Sequence, residues 1–198
     1  MATELSAETR DRILTAAWRC VHEAGSSAVT LKDVAAEAGV SRQLLYFHFA
    51  NRAGLLQAMA RHHDRTSGFS ERVRATADRP PLEAFDALVR EWLDYVPELL
   101  PVARALEAAH VTGDAGGVAW RDRMADLWRV VHAAVARLED AGCLGPGWAV
   151  DTAADWTWAR VQPSTYAHLV QERAWPHGDF VARTVASLHA DLLAPAPP

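Results

Sequence analysis

The stretch TLKDVAAEAGVSRQLLYFHFANR, residues 30–52, contains two short amphipathic segments separated by one glycine. Thr30 is suited to cap the first segment, with Asp33 three residues later, and Ser41 is suited to cap the second. Gly39, between them, can take the left-handed conformation in which a helix ends sharply. Two helices of about eight residues, joined by a turn of three to four residues, predict a helix-turn-helix.

The second predicted helix carries two faces of different chemistry. Leu45 and Phe49 are four residues apart, so they can share a buried face. The other side chains point outward and combine aromatic rings with hydrogen-bonding groups: Arg42, Gln43, Leu44, Tyr46, Phe47 and His48. This set suits a DNA major groove, because Arg can pair with guanine, Gln with adenine, and Leu can touch a thymine methyl group. The alternative is a helical hairpin inside a core, with the two outward aromatic rings buried.

Polar and cationic side chains around the motif suit the phosphate backbone of DNA. Thr30, Tyr46 and His48 can donate hydrogen bonds to phosphates, and Lys32 and Arg52 can do so with a positive charge. The backbone amides at the start of the second helix, and of the next one near Arg52, add partial positive charge.

Four blocks within residues 10–56 share their spacing with a known family: ILTAAWRCVHEAG, DVAAEAGVS, LYFHF and NRAGLL. Together they resemble the TetR family of bacterial transcriptional regulators. The resemblance implies base-facing positions for Arg42, Gln43, Leu44 and Phe47, and backbone-facing positions for Lys32, Tyr46, His48 and Arg52. The position of Leu44 is commonly small or hydroxylated in the family, so an operator preference does not carry over.

Helical periodicity runs through the chain, and no alternating strand pattern is visible, so the fold class is predicted to be all-α with about nine helices. Residues 1–53 are predicted to form a three-helix DNA-binding domain, 54–194 a larger helical domain and 195–198 a disordered tail. The first helix is expected over 8–24. Later helices are expected over about 52–76 and 82–96, and then from a start flanked by Pro97 and Pro101 to about 110. Further helices are expected from about 124 to an end at Gly142, over 148–173 with a kink at Pro163, and over 180–193. Residues 113–117 read as a loop.

Composition limits the function classes. The net charge is −5, and residues 1–52 hold six Lys/Arg against six acids, so a few well-placed residues must make any nucleic-acid contact. No run of about 18 apolar residues is present, which predicts no membrane span. Cys20 and Cys143 are far apart and match no metal spacing, which favours reduced thiols in a cytoplasmic protein.

The family resemblance implies that the larger domain binds a small-molecule effector and dimerises. In the family the last two helices pair with those of a second subunit as a four-helix bundle. The residues allow this, since apolar side chains recur there at helical spacing: Trp158, Val161, Leu169, Val181, Val185, Leu188 and Leu192. A twofold homodimer reads a near-palindromic operator, with two recognition helices about 34–36 Å apart.

Tryptophan is concentrated in the larger domain, where seven of eight lie within residues 92–175. An apolar effector cavity is predicted from Trp92, Tyr95, Trp120, Met124 and Trp128, with His110 or Arg121 as a polar contact. Such a pocket suits a hydrophobic or aromatic small molecule. The alternative is that these rings are core and interface residues.

No catalytic residue, metal ligand or cofactor is predicted, because no nucleophile motif, phosphate loop or metal-ligand spacing is present. The expected function is a homodimeric repressor of transcription that binds double-stranded DNA and is released by a small molecule. An activator, or a regulator of the same fold without small-molecule control, is the alternative within this class. An enzyme in the helical domain and a sequence-independent DNA-coating protein are the rivals outside it.

Overall fold

The computed structural model describes residues 6–49 and 51–194, so the tail predicted to be disordered at 195–198 lies outside the described residues. Ten α-helices and one short π-helical segment fill these ranges. The all-α prediction is confirmed. The helices are α1 Ala7–Ala24, α2 Leu31–Ala38, α3 Arg42–His48, α4 Arg52–Thr66, α5 Phe69–Thr76, α6 Pro81–Thr112, α7 Ala115–Asp140, α8 Val150–Arg160, α9 Pro163–Tyr166 and α10 His177–Leu192, with the π segment Ala167–Glu172 before α10.

The chain divides into two compact units, and neither is continuous in sequence. The first unit contains Met1–Gly68 and Pro101–Met124, and the second contains Phe69–Leu100 and Ala125–Pro198. The predicted functional boundary at residue 53 stays a prediction. Helices α6 and α7 each contribute residues to both units.

Helix α1 forms one wall of the first unit. Its amino end is capped by the Ser6 hydroxyl, which accepts a hydrogen bond from the Thr9 amide, and its carboxyl end stops at Gly25 with φ +57°. Its apolar stripe, which includes Ile13 and Val21, is fully buried. α1 therefore presents one face to the small core that also holds α2, α3 and α4, as expected for an amphipathic helix.

Two helix boundaries predicted between residues 52 and 110 were wrong. The helix expected over 52–76 ends at Thr66, because Gly68 takes a left-handed conformation (φ +75°), and α5 starts separately. The break expected at Pro97 and Pro101 is absent, and α6 is continuous for 32 residues. The two prolines lie outside the core while Val96, Leu99 and Leu100 beside them are buried. Packing of these neighbours keeps the helix continuous despite two missing N–H donors.

The loop expected over 113–117 is only two residues long. Gly113 and Asp114 connect α6 to α7, which already includes Gly116 and Gly117. A Cβ on Gly117 would lie 2.6 Å from the His110 Cα, so glycine is required where the start of α7 passes the end of α6. Close backbone approach, rather than a loop, explains the glycine pair.

The helix expected over 148–173 is broken rather than kinked. α8 ends at Arg160, and Pro163 occupies the first turn of α9, where its missing N–H has no intrahelical partner to lose. Trp92 Nε1 donates to the Val161 carbonyl oxygen at 2.7 Å, so this buried helix end is satisfied by a side chain from α6. Among the described residues no helix is long and apolar enough to cross a membrane.

Candidate nucleic-acid interface

Thr30 and Asp33 form a complete capping box at the start of α2. The Asp33 amide donates to Thr30 Oγ1 at 3.2 Å, and the Thr30 amide donates to Asp33 Oδ2 at 3.0 Å. The Thr30 hydroxyl also donates to Asp33 Oδ2 at 2.6 Å, and these hydrogen bonds lower the pKa of Asp33 below its ordinary value. The hydroxyl that was predicted to contact phosphate is therefore engaged within the cap.

The turn between α2 and α3 depends on Gly39 and Ser41. Gly39 has φ +64°, and its amide donates to Ala36 while that of Val40 donates to Ala35. The Ser41 hydroxyl accepts from the Leu44 amide at 3.2 Å and starts α3. These are the glycine and the serine that the sequence predicted for a helix-turn-helix.

Helix α3 separates its faces as predicted. Leu45 and Phe49 are 0% and 4% exposed, whereas Tyr46 and Phe47 are 62% and 61% exposed. The buried-hairpin alternative is therefore wrong. Arg42 and Gln43 are exposed, and Leu44 and His48 are half-buried. Arg42, on α3, and exposed Lys32, on α2, form no ion pair with any described residue, so both cations are available to a partner.

Aromatic contacts surround the carboxyl end of α3. The rings of Phe47 and His48 meet edge to face at 4.8 Å, and His48 Nε2 is buried without a hydrogen-bond partner among the described residues. The Arg10 guanidinium of α1 lies over the Phe49 ring, 5.2 Å from its centroid. This cation–π contact holds the first turn of α1 against the end of α3.

The start of α4 is capped, but its first residue is occupied. Asn51 Oδ1 accepts from the Gly54 amide at 2.9 Å. The Arg52 guanidinium makes two hydrogen bonds to the Asp114 carboxylate, at 3.1 and 2.9 Å, and the Arg52 side chain is only 25% exposed. The phosphate contact predicted for Arg52 stays a prediction, and the structure gives this side chain an internal partner.

Two further ion pairs join α4 to the start of α7 within the first unit. Arg61 contacts Asp122 at 2.7 Å on the surface, and Asp64 contacts Arg123 at 3.1 Å in a buried position. Pairing of this kind allows opposite charges to be buried. Sequence patterns did not indicate these pairs, because the partners are about 60 residues apart.

The predicted effector residues are distributed over both units. In the second unit Trp92 and Tyr95 are buried with ring centroids 6.4 Å apart, and Phe69, which sequence analysis missed, stacks on Tyr95 at 4.2 Å. Trp128 is half-buried and donates to Asp155 at 2.8 Å. In the first unit Trp120 and Met124 are buried, whereas His110 is exposed beside Arg121. Their role in binding an effector stays a prediction.

Most of the apolar residues expected at a dimer interface pack inside the single chain instead. Val161, Val181, Val185, Leu188 and Leu192 are all buried within the single chain. Trp158 and Leu169 are half-buried, and Trp156 and Trp175 are each 38% exposed. Helical periodicity located the apolar faces of these helices but could not tell packing within the chain from packing against a second copy.

Comparison with known proteins identifies the amino-terminal region. Residues 13–59 match the family model for bacterial regulatory proteins of the tetR family. The regulator TtgR of Pseudomonas putida is 45% identical over 56 residues, which are 28% of this chain and 27% of TtgR. The match thus spans about a quarter of that relative. No cluster of three His, Cys, Asp or Glu side chains that could hold a metal ion occurs among the described residues.

Solved structures match over nearly the whole chain. A crystal structure of a TetR-family regulator from Rhodococcus sp. has a TM-score of 0.76 at 23% identity, covering 93% of this chain and 98% of that one. The SmeT–triclosan complex has a TM-score of 0.69 at 22% identity, covering 96% and 93%. At these identities the likeness shows the fold. Residues 13–59 therefore match the tetR family of bacterial regulatory proteins, and the chain has the fold of these solved structures over nearly its whole length.

Proposed function

We propose that the protein is a cytoplasmic transcriptional repressor that binds a palindromic DNA operator as a homodimer and is released by a hydrophobic or aromatic small molecule. One observation carries the DNA-binding part. Helix α3, capped at its start by Ser41, exposes Tyr46 and Phe47 by about three fifths beside Arg42 and Gln43. An exposed aromatic and hydrogen-bonding face of this kind fits a major groove better than it fits water.

The proposed contacts divide into base readout and backbone positioning. Arg42, Gln43, Leu44 and Phe47 are assigned to base edges. Lys32, Tyr46 and His48 are assigned to the sugar-phosphate backbone, and Thr30 joins them only by giving up its hydrogen bond to Asp33 Oδ2. Helix α3 is seven residues long, so its amino end and exposed face reach only a few base pairs. A second copy is required for a site long enough to be specific.

Selection from a random pool of DNA duplexes tests this proposal. The wild-type chain is expected to enrich a twofold-symmetric site whose half-sites are about 34–36 Å apart. Arg42→Ala is expected to lose about 1–3 kcal/mol of discrimination at one base pair of each half-site, and Lys32→Ala to weaken binding to all sequences alike. Recovery of no preferred sequence would instead support the DNA-coating alternative.

Effector control is proposed from the aromatic residues of the larger part of the chain. SmeT, which has the same fold, is the repressor of the Stenotrophomonas maltophilia multidrug efflux pump SmeDEF and has been solved with triclosan. The candidate effector contacts are Trp92, Tyr95 and Trp128 in the second unit and, considered separately, His110, Trp120 and Met124 in the first unit. A ligand controls DNA binding only if it binds the DNA-competent and DNA-incompetent arrangements with unequal affinity.

A panel of hydrophobic aromatic compounds, with triclosan among them, tests effector control. Each compound is titrated into the complex of the protein with its selected duplex, and the dissociation constant for DNA is measured. At least one compound is expected to weaken DNA binding about 5- to 150-fold, the usual range of allosteric coupling. A compound that instead tightens DNA binding would favour the activator alternative, and a panel without effect would favour a regulator without small-molecule control.

The homodimer is proposed from two exposed tryptophans of the carboxyl-terminal region, Trp156 on α8 and Trp175 just before α10. Trp156 and Trp175 each keep 38% of their surface exposed although large aromatic rings are normally buried. Analytical ultracentrifugation measures the mass in solution. We expect a dimer for the wild-type chain and a weaker dimer for Trp175→Arg, and a monomer at all concentrations would refute the assembly.

A further inference from the structure

We propose that Asp114, at the junction of α6 and α7, is a positioning residue for the DNA-binding surface: it fixes the start of α4 through Arg52 and the loop before α2 through Ser27. This inference rests on the proposed DNA-binding function, and it removes Arg52 from the set of phosphate contacts. Asp114 lies 62 residues after Arg52 in the sequence, and no feature of the helix-turn-helix motif points to it.

The geometry joins three segments at one carboxylate. Asp114 Oδ1 accepts from Arg52 Nη1 at 3.1 Å, and Oδ2 accepts from Arg52 Nη2 at 2.9 Å. Oδ2 also accepts from the Ser27 hydroxyl at 3.3 Å. Two parallel hydrogen bonds between a guanidinium and a carboxylate fix both position and orientation, which a single ammonium contact cannot do.

The burial and the charge of Arg52 and Asp114 both favour a stable ion pair. The Arg52 side chain is 25% exposed and the Asp114 side chain 38% exposed. Hydrogen bonding to the Ala115 amide, and then to Arg52, lowers the pKa of Asp114, so the carboxylate is charged at neutral pH. A DNA phosphate that recruited Arg52 would have to displace two charge-assisted hydrogen bonds in a mostly covered position.

Close packing around Ser27 makes the junction specific. Ser27 is 4% exposed, and a Cβ on Gly116 would lie 2.8 Å from the Ser27 Oγ. The loop before α2 therefore lies against the first turn of α7 where only glycine fits. Asp114 and Gly116 together hold this loop by one hydrogen bond and by close contact.

The held segments border the proposed DNA surface. Arg52 is the first residue of α4, directly after the Asn51 cap, and the amides of this helix start are proposed to face a phosphate. Ser27 lies three residues before Thr30, which caps α2. A displacement of either segment would move its backbone amides away from the phosphate. Binding would weaken, because a hydrogen bond weakens steeply as its distance lengthens and its angle narrows.

Binding assays on the full-length chain with the duplex selected by the wild type test the role of Asp114. Asp114→Asn removes one negative charge and one bidentate contact. Asp122→Asn is the matched control, because it removes the same charge from the surface ion pair with Arg61, which is also on α4. We expect Asp114→Asn to bind about 10-fold more weakly than Asp122→Asn, within the range of couplings measured between contacting residues.

Two further measurements separate positioning from phosphate contact. Arg52→Gln is expected to weaken DNA binding without changing how steeply the logarithm of the binding constant falls with the logarithm of salt concentration. Lys32→Gln is expected to make this fall less steep by about 0.9. The double variant Arg52→Gln with Asp114→Asn is expected to bind at most about 2-fold more weakly than Arg52→Gln alone, because Asp114 acts mainly through Arg52 and otherwise only through Ser27. Ser27→Ala, which keeps the ion pair, is expected to weaken binding about 2-fold.

Each outcome decides the inference. Equal DNA affinities of Asp114→Asn and Asp122→Asn would overturn it. A salt dependence of binding that is less steep by about 0.9 in Arg52→Gln would overturn it too. If Asp114→Asn does not fold by circular dichroism, Ser27→Ala decides, and wild-type affinity in that variant overturns the inference. Failure of the wild type to select any duplex would refute the proposed function instead, so the two failures are distinguishable.

Discussion

Trp92→Phe tests whether the aromatic cluster of the second unit is core. Trp92 is 1% exposed, and its indole N–H donates to the Val161 carbonyl oxygen at 2.7 Å. Phenylalanine cannot donate, so the buried carbonyl at the end of α8 is left unsatisfied, at a cost of about 1–3 kcal/mol. The smaller ring leaves a cavity of about 40 Å³, which costs about 1 kcal/mol more at ~24 cal/mol per Å³. The expected loss in the free energy of unfolding is about 2–4 kcal/mol.

Urea unfolding followed by far-ultraviolet circular dichroism measures this loss. With a denaturant dependence of about 2 kcal/mol per M, the midpoint of Trp92→Phe falls by about 1–2 M. Trp175→Phe is the control, because Trp175 is 38% exposed and Phe retains a ring for the Arg183 side chain above it. A midpoint for Trp92→Phe within about 0.25 M of the control would show that the Val161 hydrogen bond is not a determinant of stability.

Substitutions at Gly39, His62 and Gly116, with Gly178→Ala as a control, have definite expected results. Gly39→Ala should lose about 1–2 kcal/mol of unfolding free energy in urea titrations, and Gly39→Asn less, because φ is +64° while the space around a Cβ is open. Burial lowers the pKa of His62, so the unfolded chain binds the proton more readily; the wild type should lose stability as pH falls below about 6.5, and His62→Asn should lose less by thermal unfolding. Gly116→Ala should lose about 1–3 kcal/mol through its contact with Ser27, whereas Gly178→Ala, with no atom within 4 Å, should match or slightly exceed the wild type in unfolding free energy.

Local chemistry made the helix-turn-helix predictable from the sequence. Thr30 with Asp33, Gly39 and Ser41 act on amides within three or four residues, so their hydrogen bonds are fixed by neighbours in the chain. The exposed face of α3 followed from the spacing of Leu45 and Phe49, which fixes what remains outside.

Distant partners account for what the sequence did not show. Pro97 and Pro101 predicted a break because proline lacks a donor, but burial of neighbouring side chains outweighs that loss in α6. The motif assigns Arg52 to a phosphate. Its actual partner, Asp114, lies 62 residues away in a predicted loop, so no sequence pattern links the two residues. Periodicity identified apolar faces near the carboxyl end without identifying which partner covers them.

The discontinuous composition of the first unit has a consequence for engineered chimeras. If residues 1–68 are exchanged for those of another regulator, residues 101–124 stay behind, and Asp114, Asp122 and Arg123 lose their partners on α4. A charged side chain that has lost its partner destabilises the fold, most of all in the buried pair of Asp64 and Arg123. A hybrid that receives residues 101–124 together with residues 1–68 should therefore retain cooperative unfolding, whereas a hybrid that receives residues 1–68 alone should lose it.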